Sequence, residues 1–275
     1  SIGHAVSKDL INWKELPTAL KPGKKCEWDD FTLWTGTVIK RKNKFYMFYT
    51  GRHEKSKYIQ KIGLATSKDL INWEKHADNP LVVADSKYYE TANKKNNLGK
   101  AGSWRDPSIM QDPKTKKYYM TLSARSSDRK KEYDGCVALA ESKDLIEWRV
   151  GKPLFYPKIY DEMENTQIVF HKSYYYIFFS IPYKKSYSPS HARKVKPQVG
   201  LHCYYSKSLK GKYRPVNNTG VVFPNGEEIY ALKVIKQKGD IFTALGWLRK
   251  KNGKYLAKLA YPIEFKIDGN EVCKL

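Results

Sequence analysis

The sequence contains an internal repeat, and this repeat constrains the fold more than any other feature. The string S-K-D-L-I-N-W occupies residues 7–13 and occurs again, unchanged, at residues 67–73. A close variant, S-K-D-L-I-E-W, occupies residues 142–148, and a degenerate copy begins at Ser206. Repeats of this kind are typical of folds in which each copy belongs to one supersecondary unit. We therefore expect one structural unit for each copy.

The residues around each copy predict four strands per unit. An apolar strand comes before the S-K-D turn, and the Trp after the turn begins the next strand. Two more strands come earlier in each unit, and the second of these is rich in aromatic residues, which favour strands. These aromatic strands lie at residues 44–50, 117–123 and 173–180. No stretch has the periodicity of an amphipathic helix.

This pattern predicts an all-β protein, namely a five-bladed β-propeller with four antiparallel strands per blade. The predicted units are a partial one that ends near Leu16, full ones at residues 31–78, 104–152 and 164–216, and a weaker one at 230–265. The first blade is thus expected to be incomplete in a single catalytic domain over residues 1–275. The basic insertion at residues 184–196 is predicted to be a mobile loop.

The formal net charge of +23 comes from 51 Lys and Arg against 28 Asp and Glu. A field of this size attracts phosphates and anionic polymers. Most of the lysines are scattered singly through polar turns, however, so we predict no specific nucleic-acid partner. No run of about 18 apolar residues occurs, and no membrane span is expected. The compartment and the oligomeric state stay open.

The four cysteines are far apart in the sequence and are Cys26, Cys136, Cys203 and Cys273. They form no C-x-x-C pair and have no histidine partner at the spacing of a zinc site. We therefore expect no metal and no cofactor. The cysteines are either buried thiols or, in a secreted protein, disulfide partners.

The first strand of each propeller unit lines a central channel, so polar residues on these strands converge from different blades. Arg105 and Asp106 stand side by side at the start of such a strand and can hold adjacent sugar hydroxyls. The alternative is a surface turn in which Asp106 caps the chain and Pro107 stiffens it. The predicted substrate-binding residues on these strands are Trp34, Thr35, Gly36, Trp104, Arg105 and Gln167.

Glu164 occupies the corresponding position one unit further on. Its neighbours are Met163 and an aromatic strand, and a partly apolar setting would raise its pKa, as a general acid requires. The alternative is a solvated side chain in an acidic turn beside Asp161 and Glu162. Trp34 and Trp104 are predicted either to form a stacking floor for a sugar ring or to pack between blades.

These motifs resemble those of glycoside hydrolase family 32, which contains the invertases, levanases and inulinases and shares a clan with families 43 and 68. The segment G-H-A-V-S-K-D-L-I-N-W-K-E-L-P-T-A-L at residues 3–20 is similar to the one that follows the first blade in that family. W-T-G-T at 34–37 resembles its S-G-S region, and W-R-D-P at 104–107 resembles its R-D-P motif. E-N-T-Q at 164–167 stands where the family has E-C-P.

The resemblance implies a retaining glycosidase that acts on terminal β-fructofuranosyl units of sucrose or fructans. In that mechanism an Asp attacks the anomeric carbon, and a Glu first protonates the leaving oxygen and then activates water. Glu164 matches the family's acid/base, Asp106 its transition-state stabiliser and Arg105 the companion of that Asp. The nucleophile and the acid/base carboxyls of such enzymes lie about 5–5.5 Å apart.

Two departures from the family pattern affect this hypothesis. The family's nucleophile lies in a W-N-D-P-N-G motif, which residues 1–275 do not contain. We therefore expect the nucleophile upstream of Ser1, the chain as given to be inactive, and the family's C-terminal β-sandwich to be absent. E-N-T also replaces E-C-P, which leaves the substrate open.

Other functions remain compatible with the residues. An arabinosidase or xylosidase on the same propeller is one alternative, and a phosphorylase that uses the basic charge to bind phosphate is another. A non-catalytic carbohydrate-binding propeller is a third. Within the enzyme hypothesis, Glu162 is the alternative to Glu164 as the acid/base.

Overall fold

The structure, a computed structural model, describes residues 1–92, 102–128, 133–223, 229–251 and 254–275. Its helical segments in this part of the chain are three 3₁₀ turns, Glu54–Ser56, Lys184–Ser186 and Val216–Asn218, and one short helix, α1, Pro189–Ala192. None of the described helices is long and apolar enough to cross a membrane. The insertion at 184–196 contains one of these 3₁₀ turns and α1, so it is more regular than the loop predicted there.

The strands of the described residues form five antiparallel sheets. The first sheet has two strands, β1 (Ile2–Val6) and β2 (Lys14–Leu20). The next has four, β3 (Thr32–Arg41), β4 (Lys44–Arg52), β5 (Gln60–Ser67) and β6 (Glu74–Lys75). A similar sheet contains β7 (Trp104–Gln111), β8 (Tyr118–Arg125), β9 (Gly135–Ser142) and β10 (Arg149–Val150). The fourth contains β11 (Glu164–His171), β12 (Tyr174–Ile181), β13 (Gly200–Ser206) and β14 (Arg214–Pro215).

The last sheet has five strands instead of the predicted four. They are β15 (Ile229–Lys236), β16 (Ile241–Lys251), β17 (Lys254–Leu259), β18 (Ile263–Asp268) and β19 (Glu271–Lys274). The prediction of four strands is wrong for this blade because β16 is 11 residues long. One half of β16 pairs with β18, and the other half pairs with β17.

The sheets are arranged as the blades of a β-propeller. In each four-stranded sheet the strands lie in chain order, so the first strand forms one edge. These first strands lie next to one another around the molecule: β3 contacts β7, β7 contacts β11, and β11 contacts β15. The described residues thus form four blades and the two-stranded sheet β1–β2, close to the units predicted from the repeat.

In each full copy of the S-K-D turn the Asp accepts hydrogen bonds from the same two backbone N–H groups. In the second copy, Asp69 Oδ1 accepts hydrogen bonds from the backbone N–H groups of Ile71 and Asn72, both at 2.8 Å. The indole of Trp73 donates to the carbonyl of Leu70 at 2.9 Å. The backbone hydrogen bond from Asn72 lowers the pKa of Asp69. The repeat is therefore a structural turn that joins the last two strands of a blade.

The aromatic second strands supply the centre of the core. Phe48, Tyr49, Phe178 and Phe179 are fully buried, and each contributes roughly 1.5–3 kcal/mol by leaving water. Cys136 and Cys203 are buried, whereas Cys26 and Cys273 are exposed, and all four are free thiols. The four cysteines therefore form no disulfide in this structure.

Candidate active site

The first strand of each blade carries a β-bulge near its N-terminal end. The register shifts at Trp34/Gly36 in β3, Arg105/Ser108 in β7, Glu164/Gln167 in β11 and Tyr230/Lys233 in β15. Asp106, Asn165 and Ala231 lie within these bulges with φ of +57°, +52° and +55°. A bulge bends its strand and re-aims its side chains. The four bulges therefore turn side chains from neighbouring blades towards one another at one end of the channel.

Asp106 is held by donors from three blades. Its Oδ1 accepts a hydrogen bond from the Thr35 hydroxyl. Its Oδ2 accepts from the Ser123 hydroxyl at 2.9 Å and from the backbone N–H of Asn165 at 3.0 Å. The backbone N–H of Asp106 donates to Thr50 Oγ1 at 3.2 Å. Asp106 is only 7% exposed, so this carboxyl group has a fixed orientation.

Arg105 connects the two acidic residues of the next blade. Its Nη2 donates to Glu164 Oε1 at 2.6 Å and also to Glu162 Oε1. Its Nη1 donates to Ser103 Oγ at 2.7 Å. Burial alone would lower the pKa of Arg105, but the negative charges of Glu162 and Glu164 outweigh it and raise that pKa. The guanidinium is therefore a permanent positive charge between two carboxyl groups.

The two oxygens of Glu164 have different surroundings. Oε1 accepts the hydrogen bond from Arg105, whereas Oε2 is buried and has no hydrogen-bond partner among the described residues. Burial raises the pKa of Glu164 from 4.5 to about 7, against the opposing effect of Arg105. Near neutral pH this carboxyl group can thus hold a proton and can also release it, which is what a general acid/base requires.

Glu162, the alternative acid, has a different setting. It is 8% exposed, and its Oε1 faces Arg105, the Ser103 hydroxyl at 3.3 Å and Arg125 at 3.9 Å. Two guanidinium groups therefore lie close to the Glu162 carboxyl group. The choice of Glu164 over Glu162 as the proton donor stays a prediction.

The predicted residues on β3 lie at the same end of the channel. Thr35 contacts Asp106 directly. Trp34 lies beside it, and the Arg52 guanidinium covers its ring at 3.8 Å from the centroid. At Gly36 a Cβ atom would lie 2.5 Å from the carbonyl oxygen of Phe48. Gly36 therefore allows close packing of β3 on β4, and a sugar contact at Trp34 or Gly36 stays a prediction.

Two predicted binding residues have packing roles in the structure. Trp104 is 2% exposed, its ring lies 4.9 Å from that of Tyr89, and its indole donates to the carbonyl of Val82 at 3.2 Å. It belongs to the core, in agreement with the alternative that Trp104 packs between blades, and a sugar contact at Trp104 stays a prediction. The amide of Gln167 is hydrogen-bonded to the N–H and the C=O of Val234, and it ties β11 to β15.

Sequence reasoning missed three residues that surround Asp106. Thr50 and Ser123 stand at equivalent positions near the ends of the aromatic strands, and this repeated hydroxyl is a signal that could have identified them. Lys233 on β15 donates to Ser108 Oγ at 3.2 Å. Burial lowers the pKa of Lys233 to about 8, although Asp106 opposes this change. Lys233 has no such repeated counterpart in the sequence, so no comparable signal could have identified it.

The described residues contain no group of His, Cys, Asp and Glu side chains that could hold a metal ion. What the site offers is an oriented carboxylate, a fixed arginine and a carboxyl group that titrates near neutral pH. Glycosidases use carboxyl groups of this kind on the two sides of the scissile bond.

Comparisons with known proteins agree with this class. Residues 2–259 match the sequence model of the glycosyl hydrolases family 32 N-terminal domain, and the chain belongs to this family. A fructan 6-exohydrolase from Beta vulgaris is 31% identical over 157 residues, which are 55% of this chain and 24% of that protein. A levanase from Bacillus subtilis is 31% identical over 156 residues, which are 53% of this chain and 19% of the levanase.

The structure is also similar to a solved enzyme. An inulosucrase from Halalkalicoccus jeotgali bound to kestose superposes with a TM-score of 0.83 at 20% identity, over 99% of this chain and 76% of that one. At this identity the similarity concerns the fold alone. The chain spans about a quarter or less of the length of the fructan 6-exohydrolase and of the levanase.

Proposed function

We propose that this protein is a retaining glycoside hydrolase that cleaves terminal β-fructofuranosyl bonds in sucrose or fructans. Glu164 is the acid/base, and Asp106 stabilises the transition state. The observation that carries the proposal is the asymmetry of Glu164, which has one oxygen on Arg105 and a second, buried oxygen without a partner among the described residues.

The asymmetry of Glu164 assigns the position of its proton. Oε1 already accepts a hydrogen bond from a cation, so the proton is carried by Oε2. From there it can be donated to the leaving oxygen of a bound glycoside. After the leaving group departs, the ionised carboxylate can remove a proton from water, and a pKa of about 7 suits both steps.

Asp106 is suited to a binding role and not to proton transfer. Three donors occupy acceptor positions on its carboxylate, namely Thr35, Ser123 and the Asn165 N–H. A carboxylate has about four such positions. The remaining one can accept a hydrogen bond from a sugar hydroxyl, and the negative charge opposes the positive charge that develops on the sugar ring.

The nucleophile of the proposed reaction is an Asp about 5–5.5 Å from the Glu164 carboxyl. The family's W-N-D-P-N-G motif does not occur in residues 1–275. We propose that the complete reading frame supplies this Asp on the innermost strand of a fifth blade, in which β1 and β2 are the two outer strands.

The test is hydrolysis by the protein expressed from its complete reading frame. Sucrose, levan, inulin, arabinan and xylan are supplied separately, and the released sugars are identified by chromatography. We expect fructose from the first three substrates and its loss in Asp106→Asn and in Glu164→Gln. Tyr175→Phe is the matched control, because it removes a buried hydroxyl that bonds to Asp112, which follows the C-terminal end of β7, opposite to the end with the bulge.

Each other outcome contradicts part of the proposal. Release of arabinose or xylose without fructose would replace the substrate and keep the class of enzyme. Full activity in Glu164→Gln would remove Glu164 from the acid/base role. Binding of the sugars with no hydrolysis of any substrate would favour a non-catalytic propeller.

A further inference from the structure

A second arginine lies behind the candidate site, in a buried cluster of charges. Arg125 is the last residue of β8 and is 1% exposed. Its Nη1 lies 2.6 Å from Asp134 Oδ1 and 2.9 Å from Asp161 Oδ1, and its Nη2 lies 3.9 Å from Glu162 Oε1. Burial would lower the pKa of Arg125, but the charges of Asp161 and Asp134 raise it. Arg125 is therefore a fixed positive charge, and Glu162 lies between it and Arg105.

This cluster is continuous with the site through Glu162. The Oε1 atom of Glu162 contacts Arg105 on one side and faces Arg125 on the other. Arg105 in turn donates to Glu164. The position of Glu162 therefore affects how strongly Arg105 stabilises the negative charge of Glu164.

The backbone at residues 160–162 is held by hydrogen bonds to Gly135 on one side and to Ser186 on the other. The N–H of Gly135 donates to the carbonyl of Tyr160 at 3.1 Å, and the N–H of Asp161 donates to the carbonyl of Ser186 at 2.7 Å. A Cβ atom at Gly135 would lie 2.7 Å from the Asp161 carbonyl oxygen and 2.8 Å from the Glu162 nitrogen. The glycine thus permits a close approach that brings Asp161 and Glu162 within reach of Arg125.

We propose that Arg125 is a positioning residue of this site: it holds Asp161 and Glu162 in place and so sets how Arg105 is shared between Glu162 and Glu164. This inference depends on the proposed function in one respect only, namely that the proton of Glu164 takes part in the reaction. Arg125 does not contact the reacting groups itself. Its effect is transmitted by Glu162 and Arg105.

The charge balance of the cluster supports this role. Five carboxyl groups, those of Asp106, Asp134, Asp161, Glu162 and Glu164, contact Arg105 or Arg125. Lys233 and Arg52 are further cations close to Asp106 and Arg105 respectively. Burial raises the pKa of Asp134 to about 6, with Arg125 opposing the change. Since acidic groups outnumber the two arginines, loss of Arg125 must increase the proton affinity of the others.

The test measures the protonation of Glu164 directly, in the 275-residue chain and without turnover. The carboxyl carbons of Glu are labelled with ¹³C, the Glu164 signal is assigned by its absence in Glu164→Gln, and its chemical shift is followed against pH. In Arg125→Met we expect the pKa of Glu164 to rise by about one pH unit, because a positive charge is lost. Arg125→Lys keeps the charge and should restore most of the original value.

A second variant tests the sign of the effect if Arg125→Met does not fold. Asp134→Asn keeps Arg125 but removes a negative charge, so the pKa of Glu164 should fall. Tyr175→Phe is the control for lost buried contacts and should leave that pKa unchanged. Unchanged pKa values of Glu164 in folded Arg125→Met or in Asp134→Asn would overturn the inference.

The proposed function can fail independently of this result. If the titrations change as expected but the complete reading frame releases no fructose, the coupling stands and the proposed reaction does not. If fructose is released but the titrations do not change, the reverse holds. In an active enzyme, the same coupling predicts that Arg125→Met lowers kcat and moves the basic limb of its pH profile upward, with little change in KM.

Discussion

Replacing Glu164 with Gln should stabilise the folded chain at alkaline pH, and the stability of the variant relative to the original chain should increase with pH. The pKa of Glu164 in the folded protein is about 7, raised by burial from an ordinary value of 4.5. The folded state therefore binds more protons than the unfolded state between these two values, and its stability falls as the pH rises through this range. A Gln side chain does not ionise, so the variant avoids this loss.

The magnitude follows from the size of the pKa change. A rise from 4.5 to about 7 corresponds to roughly 3 kcal/mol of lost stability once the group is ionised. The substitution also weakens the hydrogen bond from Arg105, which costs about 1–2 kcal/mol at every pH. The net effect of Glu164→Gln should be near zero or destabilising at about pH 5 and should be stabilising by about 1–2 kcal/mol at about pH 8.

The assay is urea denaturation of both proteins at these two pH values, followed by tryptophan fluorescence and far-UV circular dichroism. Glu147→Gln, in an exposed turn, is the control and should show no pH-dependent difference. The same difference between Glu164→Gln and the original chain at both pH values would contradict this prediction. It would show that Glu164 titrates in the folded chain near its ordinary pKa of 4.5.

Three further results follow from the same site. Lys233→Met should stabilise the fold at neutral pH by up to about 2 kcal/mol. Because burial lowers the pKa of Lys233 from 10.5 to about 8, this gain in stability should disappear between pH 8 and 10.5. Urea denaturation at neutral and alkaline pH measures the gain, and a gain that increases with pH would contradict the prediction. Ser123→Ala removes a donor to Asp106 and should cost about 1–2 kcal/mol of stability together with weaker sugar binding in calorimetry, so tighter binding would argue against the Asp106 assignment. Trp104→Ala should destabilise the core by about 3–5 kcal/mol, and any remaining folded protein should bind sugar with unchanged affinity, as expected for a tryptophan that is 2% exposed.

The repeat and its flanking strands predicted the blades closely because each blade is a local unit. Strands joined by short turns pair with their chain neighbours, so the order of the strands follows from the order of the sequence. The extra strand β17 was missed because the hairpin formed by β16 and β17 leaves the four-strand pattern after Ala244. Nothing in the repeat marks this extension.

The geometry of the site was less predictable than its composition. The sequence placed Asp106 and Glu164 at the starts of inner strands, but it did not show that bulges turn them towards neighbouring blades. A bulge depends on the pairing of two strands, and the partners of Asp106 come from strands distant in the sequence. The role of Trp104 was ambiguous for the same reason, since burial depends on the packing of adjacent blades.

The most direct test of the proposed site is a crystal structure of the 275-residue chain soaked with sucrose or with kestose. We predict a fructosyl ring at the bulged ends of the inner strands, with a hydroxyl group bonded to Asp106 and the glycosidic oxygen within hydrogen-bond distance of Glu164 Oε2. A fructosyl unit bound elsewhere, with Asp106 and Glu164 both free of sugar, would contradict the assignment of this site.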